Sequence, residues 1–395
     1  MKGPLSHVGR YRLLDQVARG GMATVYRGVL EGAEGFARPV AVKVLHPELA
    51  QDPEYVRMFQ EEARIAARLE HPACVPVRDL GSAEGVHFLV MDLVEGETLA
   101  SLAEQFRRKD KPFPRGHALH IAAQTLEALH YAHELIDPAT KQPLGLVHRD
   151  VSPRNVIVER NGRVRILDFG IARTEPTRGR TLVGVVKGTV PYMAPEQARG
   201  SPMVDRRADL FAVGMLLHEL ITGTLAIEDG GTDVQRQALA EGRLEIDWKR
   251  IHLGLRPLLV KALAKNPEER FATAQEMAEA TREKLEELEP EYDPAMLVAL
   301  VQSVPRKASK AGRSQKPAPT AVAVTGARRG ASRVERPARR AEDGDAPGTI
   351  AGSARAHARG GAGEPIEWAA APTMALFGAT ILVAGLIYTF MNGSV

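Results

Sequence analysis

The sequence predicts an α+β domain, then a disordered linker and one transmembrane helix, and three observations lead to this prediction. Near the N-terminus, strand-forming residues alternate with glycine turns, and a helical apolar stripe follows. From about Gln302 the composition shifts to Ala, Gly, Pro, Ser and Arg, with too few large apolar residues to offset chain entropy. From Trp368 to Val395 no charged side chain occurs.

The first strands carry an unusual lysine. The segment "YRLLDQVARGGMATVYRGVL" predicts two strands joined by a turn at Gly20 and Gly21. The next strand, "PVAVKVLHP", holds Lys43 among valines and alanine, although a buried strand rarely keeps a lysine without a partner. The helix that follows has an apolar stripe of Val56, Phe59, Ala63, Ala66 and Ala67. Glu62 lies beside this stripe and is the candidate partner of Lys43, with two surface side chains as the alternative.

Polar residues stand on two loops next to buried strands. The segment "GLVHRDVSPRNVIV" places Asp150 and Asn155 on a loop between two apolar runs, and "VRILDFGIA" ends another apolar strand in Asp168. Carboxylate and amide oxygens of this kind suit Mg²⁺, which binds one or two carboxylates together with phosphate oxygens and water. A glycine turn, a buried lysine, two metal ligands and an aspartate base together predict phosphoryl transfer.

Residues 11–285 resemble a protein kinase, specifically the bacterial (Hanks-type) relatives of the eukaryotic Ser/Thr kinases. The motifs occur in the family's order: the glycine loop, "VAVK", "HRD…N", "DFG" and "APE". A glycine loop alone would be a weak signal, but five motifs at kinase spacing make coincidence very improbable. The resemblance implies a bilobal fold with a small β-rich N-lobe and a larger helical C-lobe.

The resemblance also implies the catalytic roles. Lys43 would pair with Glu62 and hold the α- and β-phosphates of ATP. Asp150 would accept the proton of the substrate hydroxyl, and Asn155 and Asp168 would hold Mg²⁺, with Mn²⁺ as the alternative metal.

The implied nucleotide-binding residues are Ala18, Arg19, Gly20, Gly21, Met22, Ala23, Val25, Ala41, Lys43, Met91, Asp92, Val94 and Ile157. In this set Met91 would be the gatekeeper, and the backbones of Asp92 and Val94 would hydrogen-bond the base. The side chains implied to enclose the adenine ring are Val25, Ala41 and Ile157.

The resemblance assigns further residues to structural roles. Glu196 in "APE" would form a buried ion pair with Arg270, and Asp209 would accept hydrogen bonds from backbone amides of the catalytic loop. His148 is expected to be a structural hydrogen-bonding residue and not a catalyst.

Two departures from the family pattern bear on activity. In "ARGGMA", Ala18 and Ala23 stand at the first and third glycine positions, which predicts a stiffer loop. Ser152 stands where the family usually has a lysine that steadies the transferring phosphate. Arg154, four residues after Asp150, stands where tyrosine-kinase relatives place an arginine for this task. Arg154 is therefore a candidate catalytic cation, and a solvated loop residue is the alternative.

The segment after Asp168 contains Thr174, Thr177, Thr181 and Thr189. Thr189, in "GTVPYMAPE", stands where Ser/Thr kinases carry a threonine that contacts the catalytic aspartate, which favours Ser/Thr substrates over tyrosine. Arg149 precedes the catalytic aspartate, and kinases with that arginine often need a phosphate on this segment. One of the first three threonines is therefore expected to be autophosphorylated, with unmodified loop residues as the alternative.

These features predict an active Ser/Thr kinase that transfers the ATP γ-phosphate to protein substrates. The alternative is a pseudokinase that binds nucleotide or serves as a scaffold. A degenerate kinase usually loses at least one of the residues Lys43, Glu62, Asp150, Asn155 and Asp168, and all five are present here. A membrane tether that recruits partners through its basic linker is compatible with either.

The C-terminal part predicts attachment to a membrane. A helix needs about 20 residues to cross a bilayer, and the apolar run 369–391 is long enough to do so. A buried helix of a soluble domain is the alternative. The basic linker 302–367 precedes it, so the positive-inside rule predicts a single-pass protein of the inner (cytoplasmic) membrane with a cytoplasmic kinase region. No aromatic residue interrupts the basic stretch, so nucleic acid is not an expected partner. Ala375 and Ala379 would let two helices approach closely, which predicts a homodimer unless these residues are only filler.

The chain has one cysteine, Cys74, in an apolar stretch. A disulfide within the chain is therefore excluded, and a reducing compartment is expected. Cys74 is predicted to be a buried structural thiol.

Overall fold

The computed structural model describes residues 6–169, 190–227 and 229–305. The strands are β1 (His7–Val8), β2 (Tyr11–Arg19), β3 (Ala23–Glu31), β4 (Ala37–Leu45), β5 (Val77–Ala83), β6 (Val86–Asp92), β7 (Gly96–Thr98), β8 (Val156–Glu159) and β9 (Val164–Ile166). The helices are α1 (Pro53–Ala66), α2 (Leu99–Arg107), α3 (Arg115–His133), α4 (Pro195–Ala198), α5 (Arg207–Thr222), α6 (Thr232–Glu241), α7 (Arg256–Ala262), α8 (Ala274–Leu288) and α9 (Pro294–Ser303).

The N-terminal lobe is an antiparallel sheet in the order β1-β2-β3-β4-β6-β5. Valine is the most frequent residue in its strands, and a β-branched residue of this kind fits a pleated, half-buried surface. The register places Lys43 of β4 opposite Val25 of β3, and Ala41 of β4 opposite Met91 of β6. Alternate residues share a face of a strand, so Ala41 and Lys43 lie on the same face of β4.

The predicted helix after these strands is α1. Asp52 caps it by accepting the Glu54 backbone N–H at 3.0 Å, and Pro53 occupies the first turn, where the missing N–H costs nothing. Phe59 and Ala63 of the predicted apolar stripe are buried, and so is Glu62. The prediction was wrong for Ala67, the C-cap residue of the helix, which is exposed.

The C-terminal lobe is built around two central helices. Helix α5 is buried on nearly every side, as is most of α3, and this is the pattern of helices enclosed by others. Helix α3 packs against α5 and α8. The bilobal fold, with a β-rich N-lobe and a helical C-lobe, is confirmed.

A second, three-stranded sheet in the order β7-β8-β9 lies in the C-terminal lobe. Its strands β8 and β9 form a hairpin, which the Glu159 N–H closes with a 2.8 Å bond to the Arg163 carbonyl. Asn155 directly precedes β8, and Asp168 follows β9 by two residues. The hairpin therefore brings both predicted metal ligands to its open end.

One packed helix extends beyond the region predicted to be folded. Helix α9 begins after 285, and its last residues, Gln302 and Ser303, fall within the range predicted as linker. No helix of the described part of the chain is both long enough and apolar enough to span a bilayer. The predicted transmembrane segment 369–391 and all of the predicted linker after Pro305 lie outside the described residues.

Candidate active site

Lys43 is the centre of a charge cluster between the lobes. Its Nζ donates to Glu62 Oε1 of α1 at 2.6 Å and to Asp168 Oδ1 at 3.0 Å. The side chains of Lys43 and Glu62 are only 12% and 11% exposed, while that of Asp168 is 36% exposed. The structure thus brings together three predicted site residues from a strand, a helix and a loop, and leaves Asp168 the most accessible.

Burial and charge oppose each other at Lys43. Removal from water disfavours the ammonium, but the carboxylates of Asp168 and Glu62 outweigh this effect and raise the pKa of the Lys43 amine. Burial raises the pKa of the Glu62 carboxyl, and the Lys43 charge acts against this rise. The amine is therefore a fixed positive charge at neutral pH.

Asp150 and Asn155 form the second cluster. The Asn155 amide Nδ2 donates to the Asp150 carbonyl oxygen at 2.8 Å and to its carboxylate Oδ2 at 3.1 Å. The Asn155 carbonyl accepts the Leu167 N–H at 2.8 Å, so the loop of Asp150 is joined directly to the segment that carries Asp168. The amide oxygen of Asn155 and the carboxylate of Asp168 are hard oxygen donors, and two such donors fit a Mg²⁺-type ion whose other ligands are phosphate and water.

Asp209 of α5 holds the catalytic loop from below. Its carboxylate accepts the His148 N–H at 2.8 Å, the Arg149 N–H at 2.7 Å and the His133 Nε2 at 2.8 Å. Burial would raise the pKa of Asp209, but the His133 hydrogen bond and the nearby imidazoles lower it below the ordinary range. The predicted capping of the loop amides by Asp209 is confirmed.

His148 has a structural set of contacts, as predicted. Its ring is fully buried, bonds the Leu167 carbonyl through Nε2 at 2.9 Å, and accepts the Asp150 N–H through Nδ1 at 3.2 Å. The ring also contacts Phe169, with 4.5 Å between ring centroids. Burial lowers the pKa of His148, so the imidazole is neutral, and its two hydrogen bonds hold Asp150 next to Leu167, the residue before Asp168.

Two residues of these loops have left-handed backbones. Arg149 has φ of 63° and Asp168 has φ of 46°. A non-glycine residue in this region costs on the order of 1 kcal/mol. The Asp209 carboxylate bonds the Arg149 amide and the Lys43 amine bonds the Asp168 carboxylate, so each strained residue is held by a charged partner.

The predicted adenine-side residues fall into two groups. Val25, Ala41 and Met91 belong to one apolar cluster beneath the N-lobe sheet. Ile157 lies on β8 of the other sheet, opposite Thr98 and Arg165 in the register.

The glycine turn joins β2 to β3. Gly20 N–H donates to the Ala23 carbonyl at 2.8 Å and closes the turn. Ala18 is already part of β2 and pairs with Val25. The Met22 carbonyl accepts the His46 N–H at 2.9 Å, which fixes the far side of the turn to the end of β4.

Asp92 ends β6 where the predicted hinge begins. Arg78 bonds its carboxylate at 2.8 and 2.5 Å, and Arg38 does so at 3.0 Å. Its backbone N–H donates to the Pro76 carbonyl at 3.1 Å, so only its carbonyl could serve a base. Val94, two residues on, is partly buried.

The predicted substitute for the family lysine is also on the catalytic loop. Ser152 is 1% exposed, whereas Arg154 is exposed. Arg154 lines a cavity of about 420 Å³ with residues that include Arg107, Pro153, Tyr192 and Glu219. Arg154 therefore lies on the same loop as Asp150, at the edge of a cavity that also has the charged residues Arg107 and Glu219 in its wall.

Within this cavity, Glu219 accepts the Tyr192 hydroxyl at 2.5 Å and an Arg107 nitrogen at 3.4 Å. Burial raises the pKa values of both Glu219 and Tyr192. Sequence analysis missed these three residues because they come from separate helices and a short turn and share no local motif.

The predicted ion pair of Glu196 and Arg270 is confirmed. Arg270 bonds both carboxylate oxygens of Glu196 at 2.7 and 2.8 Å, and both side chains are almost fully buried. The guanidinium also donates to the backbone carbonyls of Ala264, Arg207 and Lys265. Its planar fork is thereby satisfied on all sides. The three threonines of the predicted switch, Thr174, Thr177 and Thr181, lie outside the described residues, and so does Thr189.

The site between the two lobes combines the buried charge of Lys43, the loop of Asp150 and Asn155, and two oxygen donors for a metal. This combination defines a phosphoryl-transfer domain. The sequence matches the protein kinase domain family over residues 11–281. It is 40% identical over 291 residues to tyrosine-protein kinase MasK of Myxococcus xanthus, covering 72% of this chain and 44% of that protein. It is 37% identical over 276 residues to serine/threonine-protein kinase PknB of Mycobacterium leprae, covering 68% of this chain and 42% of that protein.

Among solved structures, the PknI kinase domain of Mycobacterium tuberculosis is similar with a TM-score of 0.50 and 30% identity. That similarity covers 72% of this chain and 100% of that one. The chain thus belongs to the protein kinase family, and membership implies ATP and a divalent cation. It spans less than half the length of the curated relatives named above.

Proposed function

We propose that this chain is a Ser/Thr protein kinase that transfers the γ-phosphate of ATP to a hydroxyl of a protein substrate, with Mg²⁺ as its metal. The observation that carries the proposal is the convergence of Lys43, Glu62 and Asp168 in one charge cluster. The paired Asp150 and Asn155 are joined to this cluster by the bond from the Leu167 N–H to the Asn155 carbonyl.

The residues divide the work as follows. Lys43 supplies a buried positive charge for phosphate oxygens, and Glu62 keeps that amine in place. Asp150 accepts the proton of the attacking hydroxyl, and the amide of Asn155 orients its carboxylate. The metal, held by Asn155 and Asp168, would neutralise charge on the phosphates.

The intact set of these five residues also argues against a pseudokinase. A nucleotide-binding scaffold would not need Asp150 oriented by Asn155, since that contact serves proton transfer and not nucleotide binding. The names of the relatives include both tyrosine and Ser/Thr kinases, so the accepting hydroxyl is the part of the proposal that most needs a direct test.

The decisive experiment incubates the 395-residue chain with labelled ATP, Mg²⁺ or Mn²⁺, and a general protein substrate. Loss of the general base should reduce transfer by about 10²–10⁴-fold in Asp150→Asn. An exposed aspartate, Asp233, provides the matched control Asp233→Asn. Label that survives Asp150→Asn would contradict the proposal, as would label found on tyrosine alone by phosphoamino-acid analysis.

We further propose autophosphorylation on Thr174, Thr177 or Thr181, which mass spectrometry of the chain after incubation with ATP would detect.

Attachment to the inner membrane through 369–391 and homodimerisation through that segment are proposals supported by its apolar composition. Extraction of the chain from a membrane fraction by carbonate alone, without detergent, would contradict the anchor.

A further inference from the structure

Helix α9 lies beyond the part of the chain that matches the family, which ends at 281. Asp293 caps the helix by accepting the Ala295 N–H at 2.8 Å, and Pro294 opens its first turn. Leu297 and Val301 are fully buried and join the main core of the C-lobe. This helix is therefore an integral part of the folded domain and not the start of a linker.

The segment before α9 is anchored by a glycine in α3. A side chain at Gly116 would place its Cβ 2.5 Å from the Tyr292 ring, so only glycine admits this ring. The Tyr292 hydroxyl also bonds His117 Nδ1 at 3.2 Å.

The C-terminal end of α9 is held by one arginine from the β8–β9 turn. Arg160 donates to the carbonyls of Val301 and Gln302 at 3.4 Å and to that of Val304 at 3.0 Å. The last carbonyls of a helix have no partner within the helix, so a cation at this place both bonds them and complements the helix dipole. In return, Gln302 Nε2 donates to the Arg160 carbonyl at 3.3 Å.

The same turn is shaped to receive the helix. Gly162 has φ of 83°, and a Cβ there would lie 2.8 Å from Val298 Cγ2. Glycine thus satisfies two requirements, a left-handed backbone and close approach of α9. The Arg160 N–H also donates to the Glu95 carbonyl at 3.3 Å, which joins the turn to the segment after the predicted hinge.

The hairpin that α9 holds at its closed end carries the predicted metal ligands at its open end. Its strands have four and three residues, so the two ends are only about 10 Å apart at about 3.3 Å per residue. At the open end, the Leu167 N–H bonds the Asn155 carbonyl at 2.8 Å, directly before Asp168. A short hairpin transmits a tilt of its turn to both ligands.

We propose that α9 is a positioning element for phosphoryl transfer and that Arg160 is its positioning residue. By holding the β8–β9 turn from behind, the helix fixes the relative placement of Asn155 and Asp168. The inference rests on the proposed function for its kinetic consequence, but the coupling of α9 to the hairpin can be measured without catalysis.

The first test is hydrogen exchange of the 395-residue chain and its Arg160→Ala variant, followed in peptides that cover 156–167. One charged hydrogen bond contributes on the order of a tenfold factor in an equilibrium constant, so hairpin amides should exchange about tenfold faster in the variant. Amides of the buried helix α5 should be unchanged. The matched control is Arg163→Ala, in the same turn, where the arginine is exposed.

The second test is the dependence on metal concentration. In Arg160→Ala the Mg²⁺ concentration for half-maximal enhancement of ADP binding, read by a fluorescent ADP analogue, should rise about threefold or more, since one weakened ligand costs at least a fraction of such a bond. The turnover number should fall with it, while KM for protein substrate stays constant. Arg160→Lys, which keeps a cation, should restore part of both losses.

Each result has a clear meaning. Wild-type exchange in the Arg160→Ala hairpin overturns the coupling, and faster exchange with unchanged metal dependence overturns the positioning role. A wild-type chain that binds ADP and Mg²⁺ but transfers no phosphate would refute the proposed function, and the exchange and metal titrations would still decide this inference.

Discussion

At the scale of single residues, Ser152 and Arg154 are the clearest departure from the family pattern. A serine cannot supply the positive charge of the usual lysine, and Ser152 is buried within the loop. Arg154 is exposed on the same loop and lines the cavity that Tyr192 and Glu219 also line. The position of Arg154 is thus compatible with the predicted role of a substitute cation.

Removing that cation gives the first prediction at this scale. Arg154→Ala should lower the turnover number by about tenfold or more, since a charge-assisted hydrogen bond contributes roughly 1.5–3 kcal/mol. Steady-state kinetics with ATP and a protein substrate would measure the effect. Arg163→Ala serves as the control. Equal turnover in a folded Arg154→Ala protein would assign Arg154 to the solvated loop instead.

A second residue, His218 of α5, gives a prediction about pH. Burial lowers the pKa of its imidazole to about 4, although Asp247 acts in the opposite direction. An exposed histidine has a pKa of about 6.5, so between these values the unfolded chain binds a proton that the folded chain does not. The free energy of unfolding should therefore fall as the pH is lowered from about 6.5 to about 4, by on the order of 3 kcal/mol.

Chemical unfolding at several pH values would test this. His218→Gln keeps an acceptor for the Asp247 N–H, which lies 3.3 Å from Nε2, and removes the titration. It should flatten the pH dependence in this window. The exposed His7 gives the control His7→Gln, which should keep the wild-type slope. If the free energy of unfolding depends on pH with the same slope in all three proteins, groups other than His218 control stability in this pH range.

At the scale of elements, the pair Glu196–Arg270 joins helix α4 to the turn before α8. Glu196→Gln would leave the buried guanidinium without its counter-charge, which costs about 3–5 kcal/mol. The unfolding midpoint of a domain of this size shifts by about 2–4 °C per kcal/mol, so in this variant it should fall by roughly 10 °C. Thermal unfolding followed by circular dichroism would measure it.

An exposed pair offers the comparison. Glu127 and Arg282 are also in contact, but their side chains are 45% and 42% exposed. Glu127→Gln should change stability by no more than about 1 kcal/mol. If the two variants unfold at the same temperature, burial does not set the strength of the Glu196 pair.

Sequence analysis predicted the elements that carry local motifs and missed those defined by distant contacts. The strands around Gly20, the helix with Glu62 and the buried partner of Arg270 follow from short motifs and periodicity. Helix α9 was missed because its apolar run adjoins the composition break and no kinase motif covers it. The only local signals were Asp293 and Pro294, which start a helix, and Gly162, whose need for space depends on a residue more than 130 positions later.

The site shows the same division. The types of residue at Lys43, Asp150 and Asp168 predict their chemistry, and the structure brings them to one cleft. The contact of His133 with Asp209 could not be predicted, because a histidine at the end of a helix has many equally plausible neighbours. The occupied N–H of Asp92 could not be predicted either, since its partner is a backbone carbonyl with no sequence signature.

At the scale of the whole molecule, Lys43 of the N-lobe and Asp168 of the C-lobe side meet directly, so a ligand bound there should stabilise both lobes together. At 100 times its dissociation constant, a ligand adds about 2.7 kcal/mol to the free energy of unfolding. A non-hydrolysable ATP analogue with Mg²⁺ should raise the unfolding midpoint by several degrees, and removal of the metal with EDTA should reduce the shift.

The metal-dependent part of this shift should depend on Asp168. In Asp168→Asn the analogue should give the same shift with and without Mg²⁺, because the carboxylate that would hold the metal is gone. Asp233→Asn, with an exposed carboxylate, should behave as the wild type. The unfolding midpoint would be measured by differential scanning fluorimetry. If Mg²⁺ adds as much to the analogue's shift in Asp168→Asn as in the wild type, Asp168 is not a metal ligand.

The burial of Cys74 has a practical consequence for following movements of the β8–β9 turn. Its side chain is 1% exposed, and burial raises the pKa of its thiol to about 12. A buried thiol with a raised pKa is inert, so maleimide dyes should not react with Cys74 at neutral pH. The chain is therefore a ready background for a single introduced probe. A fluorophore attached to Arg163→Cys would report on the hairpin turn in real time, without any other cysteine having to be removed.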